Sequence, residues 1–433
     1  MDGTSPVRRK LVAGALASAT TLLLTRCSAG GGSGSVSVSL ASGPSAANSW
    51  AEDLAAMANN IRNTHPDPNG ITRSTTWNNT VSSITTDANG KSAKENVIAA
   101  IRLAALMQDE HTGVSTTPVV LAETPIRFAT ASDGPWVQQI TASQVNSLGA
   151  RLIAIDGIAI TEITTRLRAY ISASTAEGYA FNTPPMLHRC ELLALIGVGR
   201  SATQATYTLR SSSGAEFAIT LQANDTSARQ SIYGRTDGPA APLWLSQPDR
   251  NYFMVPLSTS QSVYLRYSRC ALDAAAPIDP VFDSVANALA ALDQPRLIID
   301  LRNNPGGDSS IFSNAMIRLS KAFPRLLQTR VVVLINNGVF SSATFNLYDL
   351  LRHPNATTIG EPPGTPPNHT GEVRSFTLAR TGLGHTSSTK VFTLDSSLAS
   401  RNYTPNILVA PSVDDRANGR DPVLARAEAF LMN

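Results

Sequence analysis

Two short β-branched runs, Leu297-Ile298-Ile299 and Val331 to Ile335, constrain this chain more than any other feature. A strand that is apolar at every position has no face to offer water, so it belongs inside a sheet covered on both sides. Each run leads through a polar, glycine-bearing turn to apolar residues at helical spacing. These are Phe312, Ala315, Met316 and Leu319 after the first, and Ala343, Leu347, Leu350 and Leu351 after the second. Strand, turn and helix in close repetition predict an α/β core, with Asp300 opening the polar exit of the first strand.

The two turns carry chemistry-bearing groups. Gly306 and Gly307 let the backbone turn tightly and approach a ligand with no Cβ in the way. Asp308 or Ser309 caps the following helix, so unpaired N–H groups gather at the glycines as an anion cradle. A plain β–α turn would use the same pair. Ser341 stands where the second strand has turned into a helix start, which exposes its hydroxyl; the N–H of Ser342 would face an oxyanion formed there. The bland alternative makes Ser341 a helix cap.

The segments DLRNNPGG at 300–307 and SSAT at 341–344 resemble the C-terminal processing, or tail-specific, protease family of serine peptidases. The resemblance continues through IGEPPGTPPNHTGEVRSFTL at 359–378 and NILVAPSVDDRANGRDPVLARA at 406–427. It implies a crotonase-like α/β catalytic core and makes Ser341 the nucleophile. The oxyanion would rest on the N–H groups of Gly307 and Ser342, with Gly306 shaping the turn. No cofactor is implied. Thr344 stands where the family carries a Glu, a departure that touches the helix rather than the chemistry.

A hydroxyl nucleophile needs a base. One branch of the family uses a Lys after a G-x-x-T-x-G-K turn, but this chain has GEPPGTPP there and no Lys between Lys321 and Lys390. The other branch, resembling the tricorn core protease, takes a His near the start of the mature chain. LAALMQDEHTGV at 103–114 matches that run and makes His111 the base, an imidazole poised near neutral pH. Asp109 and Glu361 are the candidates for orienting it; either would otherwise be a solvated carboxylate. His369, in the PNHTGE loop, is placed to contact substrate. His65, in the THPDP turn, reads as structural, His353 as a partner of a helix C-terminus, and His188 and His385 as surface or packing residues. Neither H-E-x-x-H nor paired Cys spacing occurs, so no metal site is expected.

With 433 residues, 42% of them hydrophobic and 15% charged, the chain exceeds one ordinary core and has the apolar content that buried sheets require. A net charge of +3, dispersed, argues against a nucleic-acid partner. Residues 1–27 read as an export signal: Arg8, Arg9 and Lys10 precede the apolar LVAGALASATTLLL, and Cys27 stands where a bacterial lipoprotein is lipidated, although Arg26 replaces the usual small residue. That places the protein in the periplasm or cell envelope. A Gly/Ser-rich linker covers 28–47, and a helical cap spans 48–115, opened by capping boxes at Ser49-x-x-Glu52 and Ser92-x-x-Glu95. Residues 116–230 read as short strands around ARLIAIDG and resemble a PDZ-like module that receives an extended peptide; a structural insert is the competing view. Residues 231–433 form the catalytic domain. Cys190 and Cys270 either pair or remain buried thiols. The function implied is an exported serine peptidase acting on peptide or unfolded protein. The competing reading is a non-catalytic peptide- or ligand-binding protein on the same scaffold.

Overall fold

The computed structural model describes residues 46–399 and 401–433, all within one compact unit, Gly43–Asn433. The export segment, Cys27 and the linker up to residue 45 lie outside the described residues. Three helices open the fold: α1 (Ala46–Thr64), α2 (Thr75–Asp87) and α3 (Ala93–Ala105). Their apolar faces meet through Leu54, Met57, Ile61, Trp77, Ile84, Val97 and Leu103. The expected box at Ser92 forms: Ser92 Oγ accepts the Glu95 N–H, and the Glu95 carboxylate accepts the Ser92 N–H. The one expected at Ser49 does not start a helix, because α1 has already begun at Ala46. Past α3 the chain passes His111 and enters a short strand, β1 (Gly113–Ser115).

An antiparallel sheet follows. It is built from β2 (Ile126–Ala131), β3 (Gly134–Thr141), β4 (Arg151–Ile155), β5 (Ile158–Ala159), β6 (Gln204–Arg210), β7 (Glu216–Gln222) and β8 (Arg229–Ser231). Its order is β2-β3-β4-β6-β7, with β5 on β4 and β8 on β3. Asp156 and Gly157, both at positive φ, make the turn from β4 to β5, the backbone that Asp-Gly favours in a tight hairpin. Helices α4 (Ile160–Leu167), α5 (Ala176–Asn182) and α6 (Cys190–Leu195) complete this region.

The six-stranded sheet that carries the two β-branched runs has the order β16-β13-β12-β11-β10-β9. Its strands are β9 (Tyr252–Leu257), β10 (Ser262–Tyr267), β11 (Arg296–Asp300), β12 (Arg330–Ile335), β13 (Ala356–Gly360) and β16 (Ile407–Leu408). All neighbours are parallel except β9 and β10. Alternate residues serve opposite faces. Leu297, Ile299, Val331, Val333 and Ile335 pack with Phe282, Phe312, Leu319 and Leu347 of α7 (Ile278–Ala290), α8 (Ser309–Ala322) and α9 (Ser342–Leu350). Ile298, Val332, Leu334 and Ile359 pack with Val423, Ala427 and Leu431 of α11 (Pro422–Met432). Each fully buried side chain of this size contributes about 1.5–3 kcal/mol, so the runs are held from both sides.

Asp300 does not exit to solvent. It is fully buried, accepting from Tyr264 Oη at 2.8 Å and from Arg302 Nη2 at 2.6 Å, while Arg302 reaches both oxygens of Asp421 at 2.8 Å. A buried carboxylate needs such partners, and these fasten the end of β11 to the cap of α11.

Two later segments leave the six-stranded sheet. The hairpin β14 (Asn368–Thr377) and β15 (Gly384–Thr393) pairs with β1, matching Gly113 to Thr386, and sends Leu378 and Leu383 into the helical core. Helix α10 (Val413–Ala417) places Val413 and Ala417 against Trp136 and Ile232. Cys190 and Cys270 are buried free thiols, both pushed up to about 12 by burial.

Candidate active site

The loop after β11 and the turn after β12 are laced together. The Phe340 N–H donates to Asn304 O at 2.9 Å, the Asn303 N–H donates to Asn336 Oδ1 at 2.8 Å, and Ser342 Oγ donates to Gly307 O at 2.6 Å. Gly306 lies so close that a Cβ there would stand 2.8 Å from Ser342 N and 2.9 Å from Ser341 Cβ; its φ is +87°. Gly307, at φ +134°, leaves no room for a Cβ against Cys270 O. Only glycine suits either place.

Ser341 has φ 53° and ψ −124°, a conformation that side-chain-bearing residues seldom adopt. It sits in the capping position of α9, yet its side chain makes no capping hydrogen bond. The cap role open to it in the sequence is therefore not the one it plays. Its N–H donates to Thr365 Oγ1 at 3.3 Å. Among the described residues the N–H groups of Gly307 and Ser342 have no hydrogen-bond partner. The N–H of Gly306 is taken by Asn304 Oδ1 at 2.9 Å, so Gly306 shapes the turn and is not a free donor.

His111 is buried and stacks on Phe340, the residue before Ser341, with ring centroids 4.6 Å apart. Its other neighbour is His369, stacked at 5.8 Å. Thr386 Oγ1, on β15, donates to the His111 carbonyl at 2.9 Å. No hydrogen bond joins the described side chains of His111 and Ser341. Nδ1 of His111 is buried and lies 3.6 Å from Asp109 Oδ1, beyond hydrogen-bond reach.

Of the two candidate orienting acids, only Asp109 faces His111. Burial works to raise its pKa, but His111, His65 and Ser388 together hold this carboxyl far below its usual range. Glu361 lies at the end of β13 toward Arg416 and Arg302, whose charges oppose the rise that burial imposes on it; among the described residues it shares no ion pair with His111. His369 is pushed down to about 4 by burial and by the neighbouring His111, so it is a neutral ring at neutral pH. Its Nδ1 donates to Pro366 O, 2.8 Å away, and the ring packs edge-on to Phe345 and tilted to Phe392. Glu110 accepts the Ser174 N–H at 2.7 Å, and burial pushes it up to about 7.

The remaining histidines lie apart from this cluster, with one exception. His188 is buried beside Glu123, His353 sits against Leu326 O at 2.8 Å, and His385 stacks on Phe376. His65 is the exception: its Nε2 lies 3.1 Å from Asp109 Oδ2. Ser388 and Thr112 also reach Asp109, each at 2.6 Å. Nothing in the sequence pairs Ser388 with Asp109; the THPDP turn was the only available pointer to His65.

Three sheets and this pairing of turns define an α/β fold with mixed parallel and antiparallel strands. The same fold is seen in mature CPAF, at a TM-score of 0.62 and 15% identity over 89% of this chain and 98% of that one. CPAF complexed with lactacystin is similar to the same degree, with a TM-score of 0.62, 15% identity and coverage of 89% and 98%. No protein-family model and no curated protein matches the chain by sequence.

Proposed function

We propose that this chain is a serine peptidase of the tail-specific protease type, in which Ser341 attacks a peptide carbonyl and His111 takes its proton. The observation that carries this reading is the strained backbone of Ser341 beside the unpartnered N–H groups of Gly307 and Ser342. Strain of that kind costs about 1–3 kcal/mol and persists where the surroundings impose it. Here it frees the hydroxyl from capping and leaves two donors beside it, the arrangement a developing oxyanion requires. Asp109 would orient the imidazole and stabilise its protonated form, closing the 3.6 Å gap as substrate binds; such contacts often tighten only in the complex. The aromatic edges of Phe345 and Phe392, with the neutral His369, would give the substrate an apolar wall.

In this reading the six-stranded sheet is a crotonase-like core and the sheet of residues 126–231 a PDZ-like peptide receiver, with the helices at 48–115 as a cap. Residues 1–27 would export the chain and Cys27 would carry any lipid. The competing binding-protein reading accounts for the fold but not for the strain at Ser341. A fluorophosphonate probe separates the two. The full chain should be labelled at Ser341, Ser341→Ala should be folded and unlabelled, and lactacystin, which binds CPAF, should compete. An unlabelled wild-type chain of native fold would favour the binding protein.

A further inference from the structure

We infer that His65 is a positioning residue that fixes the carboxylate of Asp109 toward His111; this rests on the reading of Ser341 and His111 given above. The two oxygens of Asp109 have separate duties. Oδ2 accepts from Thr112 Oγ1 at 2.6 Å and Ser388 Oγ at 2.6 Å, and lies 3.1 Å from His65 Nε2. Oδ1 accepts the backbone N–H of His111 at 3.0 Å and is the oxygen 3.6 Å from its ring Nδ1.

The tautomer of His65 follows from its other side. The Asp67 N–H donates to His65 Nδ1 at 2.9 Å, and a backbone N–H can only donate. Nδ1 is therefore the acceptor, so Nε2 carries the proton and donates to Asp109. Asp67 is itself pinned, accepting from Ile71 N at 2.6 Å and from Thr72 N at 3.0 Å. The chain of contacts thus runs from a fixed turn, through an imidazole of fixed tautomer, to one oxygen of a buried carboxylate.

A carboxylate turns about a broad, two-fold torsion, so burial alone does not say which oxygen faces which neighbour. Three donors on Oδ2 settle it. They come from the end of α1, from the loop after α3 and from β15, so no single element could hold the carboxylate alone. Both His65 and Asp109 are buried, so water is a poor substitute for a lost donor.

The test uses the full chain and a fluorophosphonate probe, with the saturating labelling rate and the half-saturating concentration measured separately. His65→Ala should slow the saturating rate by roughly 10- to 100-fold, the size seen when an outer partner of a working histidine is removed, and leave the half-saturating concentration unchanged. His65→Gln, which keeps a donor near the position of Nε2, should recover most of the rate. A folded His65→Ala that labels at the wild-type rate overturns the inference, as does a His65→Gln no better than alanine at matched melting temperature. If His65→Ala does not fold, Ser388→Ala removes a second donor from the same oxygen and should slow the same rate; no slowing overturns the inference. An unlabelled wild type fails the peptidase reading itself, which is a different result from wild-type labelling that His65 does not influence.

Discussion

Around Ser341 the proposed working groups are peptide units: the N–H groups of Gly307 and Ser342, the backbone torsions of Ser341, and the carbonyls of Asn304 and Gly307 that hold the turns. Around His111 they are side chains: Asp109, His65, Thr112, Ser388 and Thr386, brought from three separate parts of the chain. Backbone geometry is set by short sequence and by what glycine permits, so the first region tolerates almost no substitution at its turns. Side-chain hydrogen bonds are shared among several donors, so the second should lose function in steps.

The sharpest trial of this contrast is Gly307→Ala. A Cβ there runs into the Cys270 carbonyl and the residue would be held at φ +134°, so labelling of Ser341 should disappear together with native stability in a thermal melt. Wild-type labelling by that variant would break the contrast. His111→Ala should lower turnover by roughly 100- to 10,000-fold while the chain still unfolds cooperatively in a thermal melt. Lys390→Ala should leave turnover unchanged, because Lys390 is exposed and pairs with Glu372 at 3.3 Å.

A smaller effect probes the strain directly. Ser341→Gly should be more stable than Ser341→Ala by about 1 kcal/mol, because glycine relieves a cost of about 1–3 kcal/mol but gives back about 0.4–1 kcal/mol through the unfolded chain. Equal denaturation midpoints would mean that the torsion stores nothing. The smallest effect belongs to the side-chain region. Glu110 keeps its proton up to about 7 in the folded protein, whereas an unfolded Glu loses it near 4.5. The folded state therefore binds more protons between those values, and stability falls as pH rises through them. Glu110→Gln should remove that slope, so its melting temperature should gain on wild type from pH 5 to pH 8. A constant difference would place the proton elsewhere.

The same contrast explains what could be read from sequence. Leu297 to Ile299 and Val331 to Ile335 announce a sheet covered on both faces because every position is apolar, and Gly306-Gly307 and Ser341 announce turns because the backbone there admits few residues. The Ser92 box was legible for the same local reason. Asp300 reads as an exit because its carboxylate meets the charges of Arg266 and Arg302 and the hydroxyl of Tyr264 only in the fold. Ser49 looked like a cap because its spacing to Glu52 was right, but α1 starts before it. Asp109 could be nominated beside His111, yet not preferred over Glu361, since what favours it lies at residues 65 and 388. Nor does any local pattern tell that the hairpin of β14 and β15 takes β1 as its third strand.

That pairing orders events during synthesis. Gly113 emerges about 270 residues ahead of its partner Thr386, a separation that makes the contact slow to form. At ordinary elongation rates of about 5–20 residues per second the delay is on the order of tens of seconds. Throughout it, the helices that precede His111 can fold, and the glycine turn and Ser341 can follow, while Thr386 and Ser388 have not yet been made. In the proposed reading, a nascent chain would therefore hold Ser341 before His111 is anchored, and competence would arrive only with the hairpin.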